Sequence, residues 1–308
     1  MTDARFQAPF PAPLLAQAPR AAQASPETAM RSGAGRVVRV GLLGRGIQLS
    51  RTPAMHRAEG AALGLDYSYE LIDPDQPAHD LPLADLVARA EAQGFAGLNV
   101  TYPFKRDVMA LLDEMSPAAQ KVGAVNTVVF RDGKRRGHNT DFWGFAESLR
   151  RGLPDAALSS VLLLGAGGAG GAVAHALRDV GVAQVQVFDQ NIQAAQAIAK
   201  AVGGIAVTDL AAAAQAADGI VNATPMGMAK LPGTAIDPAL LEPRHWVADI
   251  VYFPRETELL AQARQRGCRV LDGSGMAVFQ AVRAFELFSG LAPDPDRMRA
   301  TFEAFADT

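Results

Sequence analysis

Short apolar runs alternate with polar turns and segments of helical periodicity along this chain. Runs of this length predict buried strands, and their regular alternation with helices predicts an α/β fold with parallel strands. The predicted strands cover residues 36–44, 67–72, 95–101, 161–164, 184–188, 218–222 and 246–250. Predicted helices include 53–63, 81–93, an Ala-rich run after residue 165 and two amphipathic helices that end the chain. Asp132-Gly133 predicts a hairpin turn.

The strand at 161–164 is followed by a glycine turn that indicates a nucleotide site. Gly165, Gly167 and Gly170 have the spacing G-x-G-x-x-G, and the next predicted strand ends in Asp189, 19 residues after Gly170. The first glycine turns the chain, the second admits a pyrophosphate and the third allows close helix packing, while an acid about 20 residues on binds the ribose. The alternative is an ordinary Ala/Gly turn of an α/β protein, which gives Asp189 no role.

Composition limits the class of protein and its partners. The chain has 308 residues, 29 basic and 32 acidic, with a formal charge of −3, which argues against nucleic acid or an anionic membrane as partner. No apolar run approaches the roughly 18 residues of a membrane span. The single cysteine, Cys268, excludes an intramolecular disulfide, and the five histidines never fall at metal-ligand spacing, so no metal site is predicted. Residues 1–35 lack periodicity and a basic start, which predicts a disordered tail and a cytoplasmic protein.

The first predicted strand leads into a segment with two hydroxyl side chains. Gly44-Arg-Gly46 resembles a second nucleotide turn, but the segment 47–53 that follows is interpreted as extended rather than helical. Thr52 precedes Pro53 and is predicted to be the N-cap of a helix over 53–63 that Gly64 closes. In an extended segment Ser50 and Thr52 point the same way, which suits a carboxylate ligand. The alternative is that both hydroxyls only cap the helix.

Other polar residues follow strand ends, where ligand sites of α/β proteins gather. Lys105 comes just after the strand 95–101, in a stretch expected to turn into a helix, and is either a surface charge or part of the site. Asp141 precedes an apolar helix and either caps it or takes part in chemistry. Met226 and Met228 are either core residues or walls for a nicotinamide. Gln280 lies one helical turn after Met276, so both can face one cleft.

Six motifs, in order from about residue 37 to residue 305, resemble the shikimate dehydrogenase family. They are Asn99-Val-Thr101-Tyr-Pro-Phe-Lys105, Gly123-Ala-Val-Asn126-Thr127, Asn139-Thr140-Asp141, Gly165-Ala166-Gly167-Gly168-Ala169, Asn222-Ala-Thr224, and Gly273 with Met276 and Gln280. The resemblance implies an N-terminal α/β substrate domain that the C-terminal helices complete, with an inserted Rossmann domain. We expect the substrate domain to span 36–140 and 275–308 and the NAD-binding domain to span 141–274.

The resemblance also assigns roles to residues. Lys105 and Asp141 match the catalytic pair of the family. The residues that match its substrate-binding positions are Ser50, Thr52, Thr101, Asn126, Tyr252 and Gln280. The cofactor-binding residues that we expect are Gly165, Ala166, Gly167, Gly168, Ala169, Asp189, Thr224, Met226, Ile250, Val251, Gly273 and Met276. A lysine can accept the proton of a ring hydroxyl when burial lowers its pKa, and NAD accepts the hydride. Because Asp141 opposes that shift, its predicted role is to orient Lys105 and bind the same hydroxyl.

Two departures from the family pattern indicate its NAD-dependent quinate/shikimate branch. Ser50-Arg-Thr52 replaces Ser-x-Ser, and Asp189-Gln-Asn replaces Asn-Arg-Thr, with no basic residue from Asp189 to Lys200. We therefore predict a quinate/shikimate dehydrogenase that uses NAD and acts on small hydroxy acids as a monomer or homodimer. The alternatives are a strict biosynthetic shikimate dehydrogenase with NADP, a methylenetetrahydrofolate dehydrogenase-like enzyme and a catalytically silent dinucleotide-sensing module.

Overall fold

Two six-stranded sheets organise the computed structural model, which describes residues 35–304. In that range the strands are β1 (Val37–Leu43), β2 (Asp66–Ile72), β3 (Gly97–Val100), β4 (Glu114–Met115), β5 (Thr127–Arg131), β6 (Lys134–His138), β7 (Ser160–Leu164), β8 (Gln184–Phe188), β9 (Ile205–Ala206), β10 (Gly219–Asn222), β11 (Trp246–Asp249) and β12 (Arg269–Leu271). The α-helices of the same range are α1 (Thr52–Ala62), α2 (Leu83–Ala92), α3 (Pro117–Val122), α4 (Thr140–Gly152), α5 (Gly168–Asp179), α6 (Ile192–Val202), α7 (Leu210–Gln215), α8 (Glu258–Gln265), α9 (Ser274–Ser289) and α10 (Pro295–Glu303). The predicted disordered tail lies outside the described residues.

The first sheet has the strand order β2-β1-β3-β5-β6-β4. β1 pairs in parallel with β2 and β3, whereas β5 is antiparallel to both β3 and β6. Asp132 and Gly133 join β5 to β6 with φ values of 56° and 68°, the left-handed backbone that a two-residue hairpin turn requires. The predicted hairpin turn is therefore confirmed.

The second sheet is parallel throughout and has the order β12-β11-β10-β7-β8-β9. From the central β7 the chain first builds one side of the sheet through β8 and β9, and then the other side from β10 onward. The order thus reverses between β7 and β10, whose last residues Leu164 and Asn222 are paired in register. In open α/β sheets the carboxyl ends at such a reversal form the crevice where ligands bind.

Two helices connect the sheets. α4 leads from β6 into β7, and α9 leads from β12 back towards the first sheet. They pack closely at Gly144, where an added Cβ would lie 2.8 Å from the backbone of Met276 and of Gln280. The predicted domain boundaries at 140/141 and 274/275 fall in the first turns of these helices, and the described chain from Arg36 onward forms one compact unit. The division into two domains stays a prediction.

Apolar side chains cover both faces of each sheet. One cluster joins the first sheet to α1, α9 and α10, and a second cluster covers its other face beside α2. The second sheet lies between a cluster with α4, α5 and α6 and another with α7 and α8. This layered, largely parallel arrangement confirms the predicted α/β fold class. No helix within residues 35–304 is long and apolar enough to span a bilayer.

The segment that precedes α1 differs from the prediction. The Ser50 amide donates to the Ile47 carbonyl at 3.0 Å, which makes a turn rather than an extended chain. Arg51 has helical φ and ψ values of −86° and −12°, and its carbonyl accepts the Ala54 and Met55 amides. Arg51 is therefore the N-cap and α1 begins at Thr52, because the helical hydrogen bonds start from the Arg51 carbonyl. The prediction of Thr52 as N-cap was wrong.

Candidate active site

Lys105 and Asp141 form an ion pair between the first sheet and α4. The Lys105 ammonium donates to Asp141 Oδ2 at 2.6 Å, and the two side chains are 24% and 13% exposed. A turn and then a 3₁₀-helix over Asp107–Leu111 follow β3, so the predicted helix directly after Lys105 is not formed. Asn139 caps α4 by accepting the Phe142 amide at 3.0 Å. The Asp141 carboxylate is therefore not a cap and is available to hold the ammonium group.

A buried polar network fixes the start of α4 beneath this pair. Asn126 donates from Nδ2 to Thr140 Oγ1 at 3.0 Å and accepts the Thr140 amide on Oδ1 at 2.7 Å. Asn99 donates to Thr127 Oγ1 at 3.1 Å and accepts the Tyr69 hydroxyl at 2.8 Å. Since a side-chain amide has two N–H donors, this network uses only one of those of Asn126. The sequence reasoning included Asn99, Thr127 and Thr140 in its motifs but assigned no supporting role to them.

Neither Ser50 nor Thr52 caps the helix that follows them. α1 has no side-chain cap, and in the described part of the chain neither hydroxyl makes a hydrogen bond to protein. Both side chains are half-buried. The preceding turn lies against Thr101, because a Cβ added at Gly44 would be 2.3 Å from Thr101 Cγ2. The structure thus argues against the capping alternative and leaves both hydroxyls available to a ligand.

Tyr252 reaches the same region from the second sheet. Its ring meets Phe302 of α10 edge-on, with 5.9 Å between centroids. Desolvation raises the pKa of the Tyr252 phenol, and the charges of Arg51, Lys105 and Asp141 also act on it. The residue nevertheless keeps 39% of its surface exposed.

Arg51 and Phe302 are contributors that the sequence reasoning missed. The Arg51 guanidinium lies over the rings of Phe302 and Phe253, at 5.1 Å and 5.7 Å from their centroids. Arg51 thereby links the hydroxyl-bearing turn to the segment that carries Tyr252. The sequence clue to a role for Arg51 was its position between Ser50 and Thr52. Its contact with Phe302 of α10 could not be predicted from local sequence, because the two residues are about 250 positions apart.

Met276 and Gln280 are placed by the contact between α4 and α9. Met276 is 9% exposed and belongs to the same apolar cluster as Ala166 and Ala223, beside the glycine turn. Gln280 is half-buried, and its side chain donates to the Ala277 carbonyl of its own helix at 3.0 Å. That both residues face one cleft stays a prediction.

The glycine turn after β7 has the shape that a dinucleotide needs. Gly165 has φ +103°, and a Cβ added at Gly170 would lie 2.1 Å from the Gly165 carbonyl oxygen, so both positions require glycine. Gly167 and Gly168 are exposed, with open space where a Cβ would stand. No side chain of the described residues caps the start of α5. Its first N–H groups therefore remain available to an anion, and these residues fit a pyrophosphate.

Asp189 connects the glycine turn to the next helix. Its Oδ2 accepts the Ala166 amide and its Oδ1 accepts the Asn191 amide, both at 2.7 Å. Asn191 in turn caps α6 by accepting the Ala194 amide. A carboxylate oxygen has more than one acceptor site, so both oxygens can still accept hydroxyl groups of a ribose. This arrangement fits NAD.

The remaining predicted cofactor residues lie at the same edge of the second sheet. A Cβ added at Gly165 would lie 2.9 Å from Thr224, and one added at Gly273 would lie 2.5 Å and 2.6 Å from the carbonyl oxygens of Ile250 and Val251. Met226 follows Thr224 in the loop after β10 and is half-buried, whereas Met228 is 44% exposed. The structure brings these backbone segments together beside the glycine turn.

The chain thus combines a parallel sheet that carries a dinucleotide-type glycine turn with a lysine–aspartate pair that follows a strand of the other sheet, and this combination is that of a dinucleotide-dependent oxidoreductase. Family models match most of the described chain. The shikimate dehydrogenase substrate binding domain matches residues 42–128, shikimate/quinate 5-dehydrogenase matches 147–259, and the shikimate 5′-dehydrogenase C-terminal domain matches 273–301. The chain belongs to the shikimate dehydrogenase family, which confirms the resemblance.

Three relatives illustrate the similarity. The chain is 53% identical over 274 residues to a quinate/shikimate dehydrogenase (NAD(+)) from Corynebacterium efficiens, covering 85% of this chain and 96% of the relative. It is 50% identical over 279 residues to a shikimate dehydrogenase (NADP(+)) from Streptomyces avermitilis, covering 87% and 96%. The structure of quinate dehydrogenase from Corynebacterium glutamicum in complex with NAD superposes with a TM-score of 0.84 at 49% identity, covering 88% of this chain and 100% of that one.

Proposed function

We propose that this protein is an NAD-dependent dehydrogenase that reversibly oxidises quinate to 3-dehydroquinate and shikimate to 3-dehydroshikimate. The observation that carries the proposal is the Lys105–Asp141 ion pair at the start of α4, a helix that shares an apolar cluster with α5, which begins at the glycine turn whose acid is Asp189. A protein that only senses a dinucleotide needs the glycine turn but has no use for a half-buried lysine–carboxylate pair.

In the proposed oxidation Lys105 Nζ acts as a free amine, takes the proton of the ring hydroxyl that is oxidised, and thereby becomes the ammonium group. Asp141 Oδ2 accepts a hydrogen bond from Lys105 Nζ at 2.6 Å, so its proposed role is to orient Lys105 and to bind the same hydroxyl. When bound, NAD supplies the hydride acceptor. Positioned general acid–base groups of this kind contribute about 100-fold to 10,000-fold in rate. In the reverse direction Lys105 returns the proton to the developing alkoxide.

Substrate binding is assigned to the hydroxyl, amide and phenol groups around the pair. Ser50 and Thr52, which make no side-chain cap on α1, are proposed to hold the substrate carboxylate. The ring hydroxyls are assigned to Thr101, Asn126, Tyr252 and Gln280. The partially exposed Tyr252, which lies within reach of the charges of the ion pair, supports this arrangement.

The proposed coenzyme site extends from the glycine turn to the loops after β10 and β11. Gly165, Ala166, Gly167, Gly168 and Ala169 are assigned to the pyrophosphate and Asp189 to the adenosine ribose. The nicotinamide end is assigned to Thr224, Met226, Ile250, Val251, Gly273 and Met276. Because NAD- and NADP-dependent relatives are 53% and 50% identical to this chain, overall identity does not decide the coenzyme. Asp189 supports NAD, because a carboxylate at this position is suited to bind ribose hydroxyls and would repel a 2′-phosphate.

The second candidate is a strict shikimate dehydrogenase that uses NADP, which the Streptomyces avermitilis relative favours. The test measures absorbance at 340 nm for each pair of NAD or NADP with quinate or shikimate. Turnover of both substrates with NAD supports the proposal. Turnover of shikimate alone, with NADP preferred, supports the second candidate, and tight binding of NAD without turnover supports a sensing module.

We further propose that the enzyme acts in the cytoplasm as a monomer or homodimer. Cys268 is buried and its thiol donates to the Glu242 carbonyl, so we assign it to packing rather than to a disulfide between two copies of the chain. Size-exclusion chromatography with light scattering tests the oligomeric state.

A further inference from the structure

Asp249 is a buried carboxylate at the carboxyl end of β11, and it receives three hydrogen bonds from different parts of the chain. The residue is 2% exposed. Its Oδ1 accepts Asn222 Nδ2 and the Val251 amide, both at 2.9 Å, and its Oδ2 accepts the Thr257 hydroxyl at 2.7 Å. Asp249 therefore connects the end of β10, the turn after β11 and the cap of α8.

Asn222 extends these connections into the loop after β10. Its Nδ2 donates to the Met226 carbonyl at 3.0 Å, and its Oδ1 accepts the Thr224 amide and hydroxyl at 3.0 Å and 2.7 Å. The Thr224 hydroxyl in turn accepts the Met226 amide at 3.2 Å. Two loops that leave neighbouring strands are thus held together by one buried carboxylate and one buried amide.

The hydrogen-bond donors around the position match the acceptor oxygens of a carboxylate. Three donors converge on two oxygens, and an ionised carboxylate accepts hydrogen bonds without donating any. Burial nevertheless disfavours the charge and raises the pKa of Asp249 to about 6, although the three hydrogen bonds oppose the rise. No ion pair to Asp249 exists among residues 35–304. Such a group is costly to bury, which suggests that its benefit is to ligand binding rather than to stability.

We propose that Asp249 is a positioning residue for the nicotinamide side of the coenzyme site, holding the segments Thr224–Met226 and Ile250–Val251 in their binding arrangement. The inference rests on the proposed function, which assigns those segments to the nicotinamide. The adenosine side, formed by the glycine turn and Asp189, is held by separate hydrogen bonds. Disturbing Asp249 should therefore weaken contacts with one half of the coenzyme only.

The test compares the binding of NADH with that of ADP-ribose, which lacks the nicotinamide ring. Calorimetric titration of both ligands is made with the wild-type protein and with Asp249→Ala and Asp249→Asn. We expect Asp249→Ala to weaken NADH about 10-fold and ADP-ribose less than about two-fold. Asp249→Asn keeps an oxygen for Asn222 and Val251, while the Thr257 hydroxyl can turn to accept its amide, so we expect it to retain most of the NADH affinity.

Asp218 provides a matched control at the opposite edge of the same sheet. Its Oδ2 accepts the Ser160 amide at 2.9 Å, so Asp218→Ala also removes a carboxylate that holds a backbone N–H. We expect it to leave both affinities unchanged. If Asp249→Ala does not fold, Thr257→Val removes one of the three donors, and Thr257→Ser restores that hydroxyl. The expected pattern is then a smaller, NADH-specific loss that the serine reverses.

The outcomes separate the inference from the proposed function. Equal loss of both ligands, or no loss of either, in Asp249→Ala overturns the positioning role while the wild-type protein still binds NADH and oxidises quinate. Failure of the wild-type protein to bind NADH overturns the proposed coenzyme and the positioning role together. Selective loss of NADH, with ADP-ribose and the Asp218 control unaffected, supports the inference.

Discussion

Lys105 Nζ lies 2.6 Å from Asp141 Oδ2, although the two residues are 36 positions apart in the chain. The lysine follows a strand of the first sheet, and the aspartate lies in the first turn of the helix that leads into the second sheet. The pair therefore joins the segment after a first-sheet strand to the start of the helix that leads into the second sheet. Asn139 caps that helix, which leaves the Asp141 carboxylate to the lysine.

Lys105→Ala should lower kcat about 100-fold or more, because it removes the proposed general base. KM for quinate and shikimate should change much less, since other side chains are assigned to the carboxylate and ring hydroxyls. Steady-state kinetics at saturating NAD measure both constants. Lys121→Ala removes an exposed lysine and is the control. A near-normal kcat in Lys105→Ala would mean that Lys105 is only a surface charge.

Asp189→Ala should reduce the preference for NAD over NADP by about 10-fold or more. At an effective dielectric constant near 20, like charges about 4 Å apart cost roughly 4 kcal/mol, which solvent reduces. The variant also removes the acceptor of the Ala166 amide at the glycine turn, so KM for NAD should rise. Asp189→Asn removes the negative charge but keeps an oxygen that can accept the Ala166 amide. It therefore separates the loss of charge repulsion from the loss of support for the glycine turn. The measurement is kcat/KM with each coenzyme, and an unchanged ratio in both variants would place coenzyme selection elsewhere.

Much of the fold follows from local sequence patterns. The strand over 184–188 has the predicted bounds, and the other predicted strands agree within two residues, because each is a short run of β-forming residues bounded by turn residues. The glycine turn was predictable because left-handed backbone and close packing restrict Gly165 and Gly170 to one residue type. The two-residue strands β4 and β9 were not predicted, because so short a segment carries no periodicity.

The missed parts of the site depend on contacts between distant segments. Asp249 and Asn222 are both polar residues at predicted strand ends, but their pairing requires knowing that β10 and β11 are neighbours. The stack of Arg51 on Phe302 likewise requires the position of α10. The turn before Thr52 was misjudged because Pro53 restricts its neighbour without excluding a helical Arg51.

Arg297→Ala should lower the Tm by about 5 °C or more, because it leaves a buried carboxylate without its partner. Glu59 of α1 is fully buried, and Arg297 of α10 donates to both of its oxygens, at 2.6 Å and 2.9 Å. Thermal unfolding followed by circular dichroism measures the change. Arg264→Ala is the control, since it removes a partner of the exposed Glu256. Equal effects of the two substitutions would show that pairing the buried Glu59 carboxylate contributes no more to stability than an exposed ion pair does.

Asp249→Asn should raise the free energy of unfolding relative to the wild type, and more so as the pH rises. Burial raises the pKa of Asp249 from 3.8 to about 6 in the folded protein. The stability linked to its protonation is present below about pH 4 and is lost as the pH rises through about 6, with a total on the order of 3 kcal/mol. Denaturant unfolding at about pH 5 and about pH 8 measures both proteins. A difference that does not grow with pH would contradict the raised pKa.

Thr52 should decide between quinate and shikimate. Quinate carries an additional tertiary hydroxyl on the carbon that bears the carboxylate, so its site needs a polar partner beside that carboxylate. Thr52 is the first residue of α1 and its hydroxyl does not cap the helix. Its β-branch restricts χ1, which holds the hydroxyl more firmly than a serine would. We therefore expect Thr52→Val to impair both substrates and quinate more, and Thr52→Ser to shift kcat/KM towards shikimate.

The size of the Thr52 effect follows from leaving a buried hydroxyl without its partner, which costs about 1–3 kcal/mol. That range corresponds to a change of roughly 5-fold to 150-fold in relative kcat/KM, so steady-state kinetics with both substrates can resolve it. Thr52→Ser keeps the hydroxyl and removes only the methyl group that restricts its χ1 angle. This variant therefore tests whether the position of the hydroxyl matters, whereas Thr52→Val tests whether its presence does. Ser50→Ala is the matched control, because it removes the neighbouring proposed carboxylate ligand without changing the residue assigned to selectivity. It should impair both substrates equally, and an unchanged substrate ratio in both Thr52 variants would place selectivity outside this turn.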